Sequence, residues 1–203
     1  MRQSYAGLAG VEPMRSDCRL LLVCMPLFTW LAGATPALAD KPILLPTRDV
    51  DVTYRAAGAQ QLEQRVRWDV ATQTMRIDPP TSGAFVIIDY LARRMTVVNV
   101  TEKSVIEMAA PASMANILAG RTGSDFVRQG EASVDGMGCT EWQTQDRNGQ
   151  AAQLCITNDG VLLQAATRDR TLVTAVKVQY APQDPALFHV PSDYTRRSLG
   201  AAR

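Results

Sequence analysis

The sequence predicts a mainly β domain behind an export signal. Beyond Asp40, apolar residues recur with period two and turn residues return every ten positions or so; before Asp40 stands an apolar run ending in small residues. Period two is the signature of an extended strand with one face in a core and one in water. Turns this closely spaced join consecutive strands into antiparallel pairs.

A secretion signal needs a basic start, a short apolar stretch and small residues at positions minus three and minus one of the cut. Arg15 and Arg19 precede the run Leu20 to Leu31, and Ala37-Leu38-Ala39 supplies the cleavage site ahead of Asp40. Pro36 ends the apolar helix just upstream. Residues 1–39 are therefore expected to be removed, with translation starting at either Met1 or Met14. An uncleaved anchor would need about 20 apolar residues, more than this run holds. Cys24 follows Val23 in mid-run, which is no lipid-attachment site.

Of 203 residues, 164 remain after residue 39, enough for one domain with a real core, expected over 40–195 with a frayed tail at 196–203. That part carries 18 basic and 18 acidic side chains. Nucleic-acid binding would call for a basic stripe that neutralises phosphates, and none is seen. Arg93-Arg94 and Arg196-Arg197 read as solvated turn and tail residues.

The strands are counted from Gln60. Leu62, Val66, Trp68 and Val70 share one face of the first, and Glu63, Arg65, Arg67 and Asp69 the other. Thr74 to Ile77 follows, stopped by Asp78-Pro79-Pro80 because proline cannot donate to a ladder. Ala84 to Tyr90 is apolar on both faces and expected to be central; Met95 to Val100 and Lys103 to Met108 come next. A short helix is expected from Pro111 to Gly120, with Met114, Ile117 and Leu118 on one face, since proline suits a first turn and glycine a terminator. Strands resume at Phe126 to Val134, Cys139 to Gln145, Gln150 to Thr157, Val161 to Arg168 and Leu172 to Tyr180, the last with Leu172, Val176, Val178 and Tyr180 on one face. The chain closes in a packed turn around Asp184-Pro185-Ala186-Leu187-Phe188. No internal repeat is evident.

Cys139 and Cys155 are the two cysteines left after the signal, and an even pair in an oxidising compartment reads as a disulfide. Closing that loop is worth on the order of 3 kcal/mol. Asn148-Gly149 marks a hairpin between them. A three-residue loop, 147–149, sets Cys155 opposite Glu141 and makes Cys139 its diagonal neighbour on the same face. Trp142, Leu154 and Ile156 have the opposite parity, so the disulfide is expected on the more polar face.

Catalytic signatures are missing. His189 is the only histidine and reads as a turn residue, so neither a multi-histidine metal site nor a histidine-assisted triad assembles. Asp78, Asp89 and Asp159 stand beside turns, where aspartate is a turn-maker. Gly136-Met137-Gly138 lacks the lysine of a phosphate loop, and no serine stands in a nucleophile elbow. No enzyme, cofactor or metal site is read.

Several stretches resemble the lipoprotein-carrier (LolA-like) superfamily, in particular its small periplasmic members. They are Met75-Arg76-Ile77-Asp78-Pro79 with Val86-Ile87-Ile88-Asp89-Tyr90, Arg93 to Val98, Gly138-Cys139-Thr140, Leu154 to Val161, and the ending Gln183 to Pro191. The resemblance implies a strongly curved antiparallel sheet, an open half-barrel, with a short helix over its concave side. It also implies an apolar concavity for a guest. Trp68, Val86, Ile88, Met95, Met108, Met114, Ile117, Leu118 and Trp142 are the candidate lining residues, the methionines being adaptable to irregular guests. The same side chains would equally complete a solid core, with the helix as a fixed plug.

The expected function is a periplasmic, non-catalytic binding or carrier protein for an apolar ligand such as an acyl chain or lipoprotein. The alternative is an envelope sensor or interaction module with a filled core, whose partner is another envelope protein. A small outer-membrane barrel fits the length, but its strands would need nine to eleven residues and aromatic girdles. Once processed, the chain is not read as an integral membrane protein.

Overall fold

In the computed structural model of the chain, residues 41–58, 62–81, 83–111, 125–145 and 149–198 are described. Twelve strands form one sheet: β1 (Val50–Ala56), β2 (Glu63–Asp69), β3 (Thr74–Asp78), β4 (Ala84–Asp89), β5 (Arg94–Asn99), β6 (Ser104–Ala109), β7 (Val127–Val134), β8 (Met137–Gln145), β9 (Ala151–Ile156), β10 (Leu162–Thr167), β11 (Thr171–Gln179) and β12 (Thr195–Ser198). Their order is β12-β6-β5-β4-β3-β2-β1-β11-β10-β9-β8-β7, so the sheet stays open, with β12 and β7 at its edges. Two antiparallel meanders, β1–β6 and β7–β11, join where β11 pairs with β1. Only β12 on β6 is parallel.

Three hairpins of the first meander share one turn. Asp69, Asp89 and Asn99 each end a strand that pairs with the residue five positions on, leaving four-residue loops. Each of the three carboxyl or amide oxygens accepts from a loop N–H, at 2.7 to 3.0 Å: Ala71, Ala92 and Glu102. The last loop residue, Gln73, Arg93 or Lys103, has φ near +50°. A short polar side chain satisfying the turn is the physical role of aspartate and asparagine here. This recurrence at 69, 89 and 99 is a local repeat that the sequence reading does not detect.

Registers across β1–β6 are unbroken, so alternation sorts their side chains cleanly. One row on one face runs Val50, Trp68, Met75, Ile88, Met95 and Met108, each opposite the next; a second runs Val52, Val66, Ile77, Val86, Val97 and Ile106. The other face carries charge. There Arg67 lies opposite both Asp51 and Arg76. Like charges directly opposed destabilise a sheet, but Asp78 accepts from both arginines, and Arg67 Nε is 3.4 Å from Asp51.

The C-terminal segment crosses this charged face. Its 3-10 turn Pro185–Phe188, capped by Asp184, places the Leu187 carbonyl where it accepts from Arg76 Nη1 at 2.7 Å. Val190 and Tyr194 then pack on Phe85, Ile87 and Val98. The exposed His189 bonds its own turn through Nδ1 to the Pro185 carbonyl, at 2.7 Å.

Several expectations need correction. β1 lies upstream of Gln60, although Val50, Val52 and Tyr54 alternate with Asp51, Thr53 and Arg55 as plainly as any later strand. The tail does not fray at 196: Arg196 and Arg197 belong to β12 and pair with Glu107 and Glu102. In β11 a bulge after Ala175 interrupts the alternation, since Lys177 faces Thr53 while Ala175 faces Tyr54. A bulged residue shifts parity, so Leu172 is exposed and Ala175 is buried.

Cys139 and Cys155 form a disulfide, with Cys155 opposite Glu141 as the three-residue loop requires. It does not sit on a polar face. Both cysteines are buried, at 3% and 5% exposure, in the main core cluster with Trp68 and Ile88. The expected signal (residues 1–39) and tail end (199–203) lie outside the described residues, as does the expected helix except for Pro111. Among the described residues the 3-10 turn is the sole helical element, and no helix is long and apolar enough to cross a membrane.

Candidate ligand-binding pocket

The two apolar rows are not buried alike. Val50, Trp68 and Ile88 are fully buried, whereas Met75, Ile77, Val86, Met95, Val97, Ile106 and Met108 are half-buried. Over β1–β4 a cavity of about 280 Å³ opens on this face, lined by Val52, Val66, Trp68, Met75, Ile77 and Tyr90 among others. The volume lies at the small end of ligand pockets, roughly 300–1,000 Å³.

One wall is an irregular segment, Leu44-Leu45-Pro46, facing Gly160 and Val161. Gly160 is required there: its φ is +90°, and a Cβ would lie 2.3 Å from the Leu45 carbonyl oxygen. A clamp holds the segment in place. Thr47 N–H donates to the Asp159 carbonyl at 2.9 Å, Arg48 Nε donates to the Asp159 carboxylate at 2.7 Å, and the Arg48 guanidinium stacks 3.6 Å above the Tyr180 ring. Tyr180 Oη also donates to that carboxylate, at 3.0 Å. Burial pushes the Asp159 carboxyl up, but hydrogen bonds from Thr157, Arg48 and Tyr180 outweigh it, and its pKa falls below the usual range.

Among the described residues no lining side chain is charged. Tyr54 Oη donates to the Leu162 carbonyl at 2.9 Å, and burial holds its phenol well above the usual tyrosine range. Tyr90 is 5% exposed and its ring meets Trp68 edge to face, centroids 5.5 Å apart.

Five of the nine expected lining residues come together. Trp68 lines the cavity, and Val86, Ile88 and Met95 belong to the same core cluster. Met108 faces Met95 across β5 and β6. Trp142 does not join them: it is buried apart, by a pocket shared with Pro42, Ile43 and Ile156. Met114, Ile117 and Leu118 lie outside the described residues. Sequence reasoning missed Tyr54, Gln64, Met75, Ile77 and Tyr90, although the period-two rule that selected Trp68 also covers Met75 and Ile77.

A larger pocket of about 540 Å³ on the charged face is lined by Asp51, Arg65, Arg67 and Gln183 among others. Its arginines are already paired with aspartates, which among the described residues leaves no cation uncommitted for a guest. Among the described residues no three His, Cys, Asp or Glu side chains gather as a metal site.

No protein-family model matches the chain, and none of the curated proteins matches it. Solved structures do. An uncharacterized conserved protein from Thermus thermophilus is similar with a TM-score of 0.56 at 13% identity, covering 75% of this chain and 91% of its own. PNGF-II is similar at 0.49 and 13%, over 75% of this chain and 31% of its own. MucB is similar at 0.40 and 13%, over 74% and 60%. At this identity the Thermus protein shows a shared fold.

Proposed function

We propose that this chain is an exported, non-catalytic binding or carrier protein of the bacterial periplasm, whose ligand is an apolar chain held on the open apolar face of β1–β6. The observation that carries the reading is the contrast along the two rows. Val50, Trp68 and Ile88 are closed off, while Met75 and Ile77 stay half-buried in the lining of a cavity with no charged side chain among the described residues, and Val86, Met95 and Met108 continue the half-buried rows beyond it. A contiguous apolar surface left partly open marks a binding site.

The resemblance to lipoprotein carriers supports an acyl chain or a lipoprotein as guest. The small-x-small site before Asp40 and the disulfide support the envelope as the compartment. The volume favours one competing reading, an envelope sensor or protein-interaction module, because a small cavity is closer to a filled core than to a roomy carrier site.

Native mass spectrometry of the protein purified from an envelope fraction, followed by solvent extraction and lipid analysis, separates the two. The carrier reading expects a polypeptide starting at Asp40 with a stoichiometric acyl species. A bare polypeptide that accepts no offered lipid would overturn it in favour of the interaction module. A mass that retains residues 1–39 would overturn export by cleavage.

A further inference from the structure

The cavity is apolar, but its lining residues include one buried polar hydrogen with nothing to bond and one hydroxyl without a partner among the described residues. Trp68 Nε1 is buried without a hydrogen-bond partner. Tyr90 lines the cavity, and among the described residues no group bonds its hydroxyl, which is not itself sealed off as Trp68 Nε1 is. Burial alone raises its phenol above the usual range, so at neutral pH it is an O–H donor. Half-buried Gln64 adds an amide to the lining. Covering a donor with a guest that leaves it unpaired is costly, and among the described residues no cation lines the cavity to offset a buried anion.

We infer that the pocket selects an uncharged chain carrying a carbonyl-type hydrogen-bond acceptor, an acyl ester or amide, over a free carboxylate and over a plain hydrocarbon, with Tyr90 as the residue that sets the choice. This rests on the apolar-ligand reading above and narrows it. The chemistry has two parts. An ester oxygen accepts from the Tyr90 hydroxyl and satisfies it. A carboxylate must leave water without a counter-charge, and that costs far more than one neutral hydrogen bond returns.

The cavity holds roughly nine groups the size of a water molecule, at about 30 Å³ each, so ten-carbon probes suit it. The test displaces a neutral fluorescent apolar probe, N-phenyl-1-naphthylamine, from the purified protein at pH 8 with methyl decanoate, decanoate or decane. The ester is expected to displace it at a concentration at least about tenfold below that of decanoate. Tyr90→Phe, which keeps the ring against Trp68, is expected to weaken the ester roughly three- to tenfold while leaving decane unchanged. Trp68→Phe supplies a second variant, which removes the other donor and also shrinks the ring that floors the cavity, so it is read through the ester-to-decane ratio.

Decanoate matching the ester in the unmodified protein overturns the inference and leaves the apolar-ligand reading standing. So does an ester-to-decane ratio that neither variant changes. Failure of the fluorescent probe and all three ligands to bind overturns both.

Discussion

The two faces of the β1–β6 meander are made by the same six strands and behave oppositely. On one, Val50, Trp68, Met75, Ile88, Met95 and Met108 line up across the sheet. On the other, Asp51, Arg67, Arg76 and Asp78 interlock beneath the C-terminal segment. The apolar face is half open, while the charged face is tied down by its ion pairs and by Leu187, Val190 and Tyr194. The ion-paired surface and the proposed binding surface are thereby the two sides of one sheet, and a substitution can be aimed at either.

The largest effect is expected at the floor of the apolar face. Trp68 is 2% exposed, and Trp68→Ala removes its contacts with both the core and Tyr90. A loss of about 3–5 kcal/mol in urea unfolding is expected. Met108→Ala, at the half-buried end of the same row, should cost clearly less. Equal losses would mean that the row is one closed core and the open face does not exist.

The charged face should break at Arg67 before Arg65. Arg67 is 8% exposed and stands between Asp51 and Asp78, and its removal takes one of two arginine partners from each carboxylate, leaving Asp51 to Arg65 and Asp78 to Arg76, and opens a gap where a buried side chain lay. A loss of about 3 kcal/mol is expected for Arg67→Ala. Arg65, half-exposed on Asp51, should lose about 1 kcal/mol or less. Neither change should alter displacement of the apolar probe, since both side chains project away from the cavity.

Most of this division was readable in the sequence because alternation is a local property. Val66 and Trp68 against Arg65 and Arg67 already set both faces of β2, and ten of the twelve strands were placed from such runs together with the turn residues that bound them. What escaped depends on geometry beyond the local period. The bulge in β11 breaks the single face assigned to Leu172–Tyr180 because one inserted residue inverts parity. The cysteines were assigned to a polar face because Trp142, Leu154 and Ile156 have the opposite parity, yet tertiary packing buries them in one cluster with Leu163 and Val161. Trp142 carried the right chemistry in the wrong place. Tyr90 was read as the end of a strand; the register that sets β3 beside β4 is what brings its ring to Trp68.

Acid should act on the pocket wall through Asp159. Its folded pKa is depressed below the unfolded value of 3.8, so its contribution is fully present above that value and is lost as pH falls through the folded one. Stability should therefore decline below about pH 4, and Asp159→Asn should flatten that limb in thermal melts. Tyr180 works at the other end: burial, then its bond to Asp159, raises its pKa, so its contribution is lost as pH rises beyond the usual tyrosine range. An acid limb unchanged in Asp159→Asn would mean that the clamp on Arg48 does not hold the wall.

The smallest effect concerns the turns that space both faces. Arg93 closes the β4–β5 hairpin at φ +53°, where a Cβ crowds the backbone and glycine does not. Its carbonyl accepts from Ala110 N–H at 2.8 Å, a bond that a substitution of the side chain leaves in place. Arg93→Gly relieves the crowding but frees the unfolded chain, and the two partly cancel. A net gain of about 0.5 kcal/mol is expected, a rise of about 1–2 °C in Tm, while Arg93→Ala, which keeps the Cβ, should show no gain. Because the turn only spaces the strands, probe binding should stay the same in both variants; a change would mean that hairpin geometry sets the openness of the apolar face as well as its order.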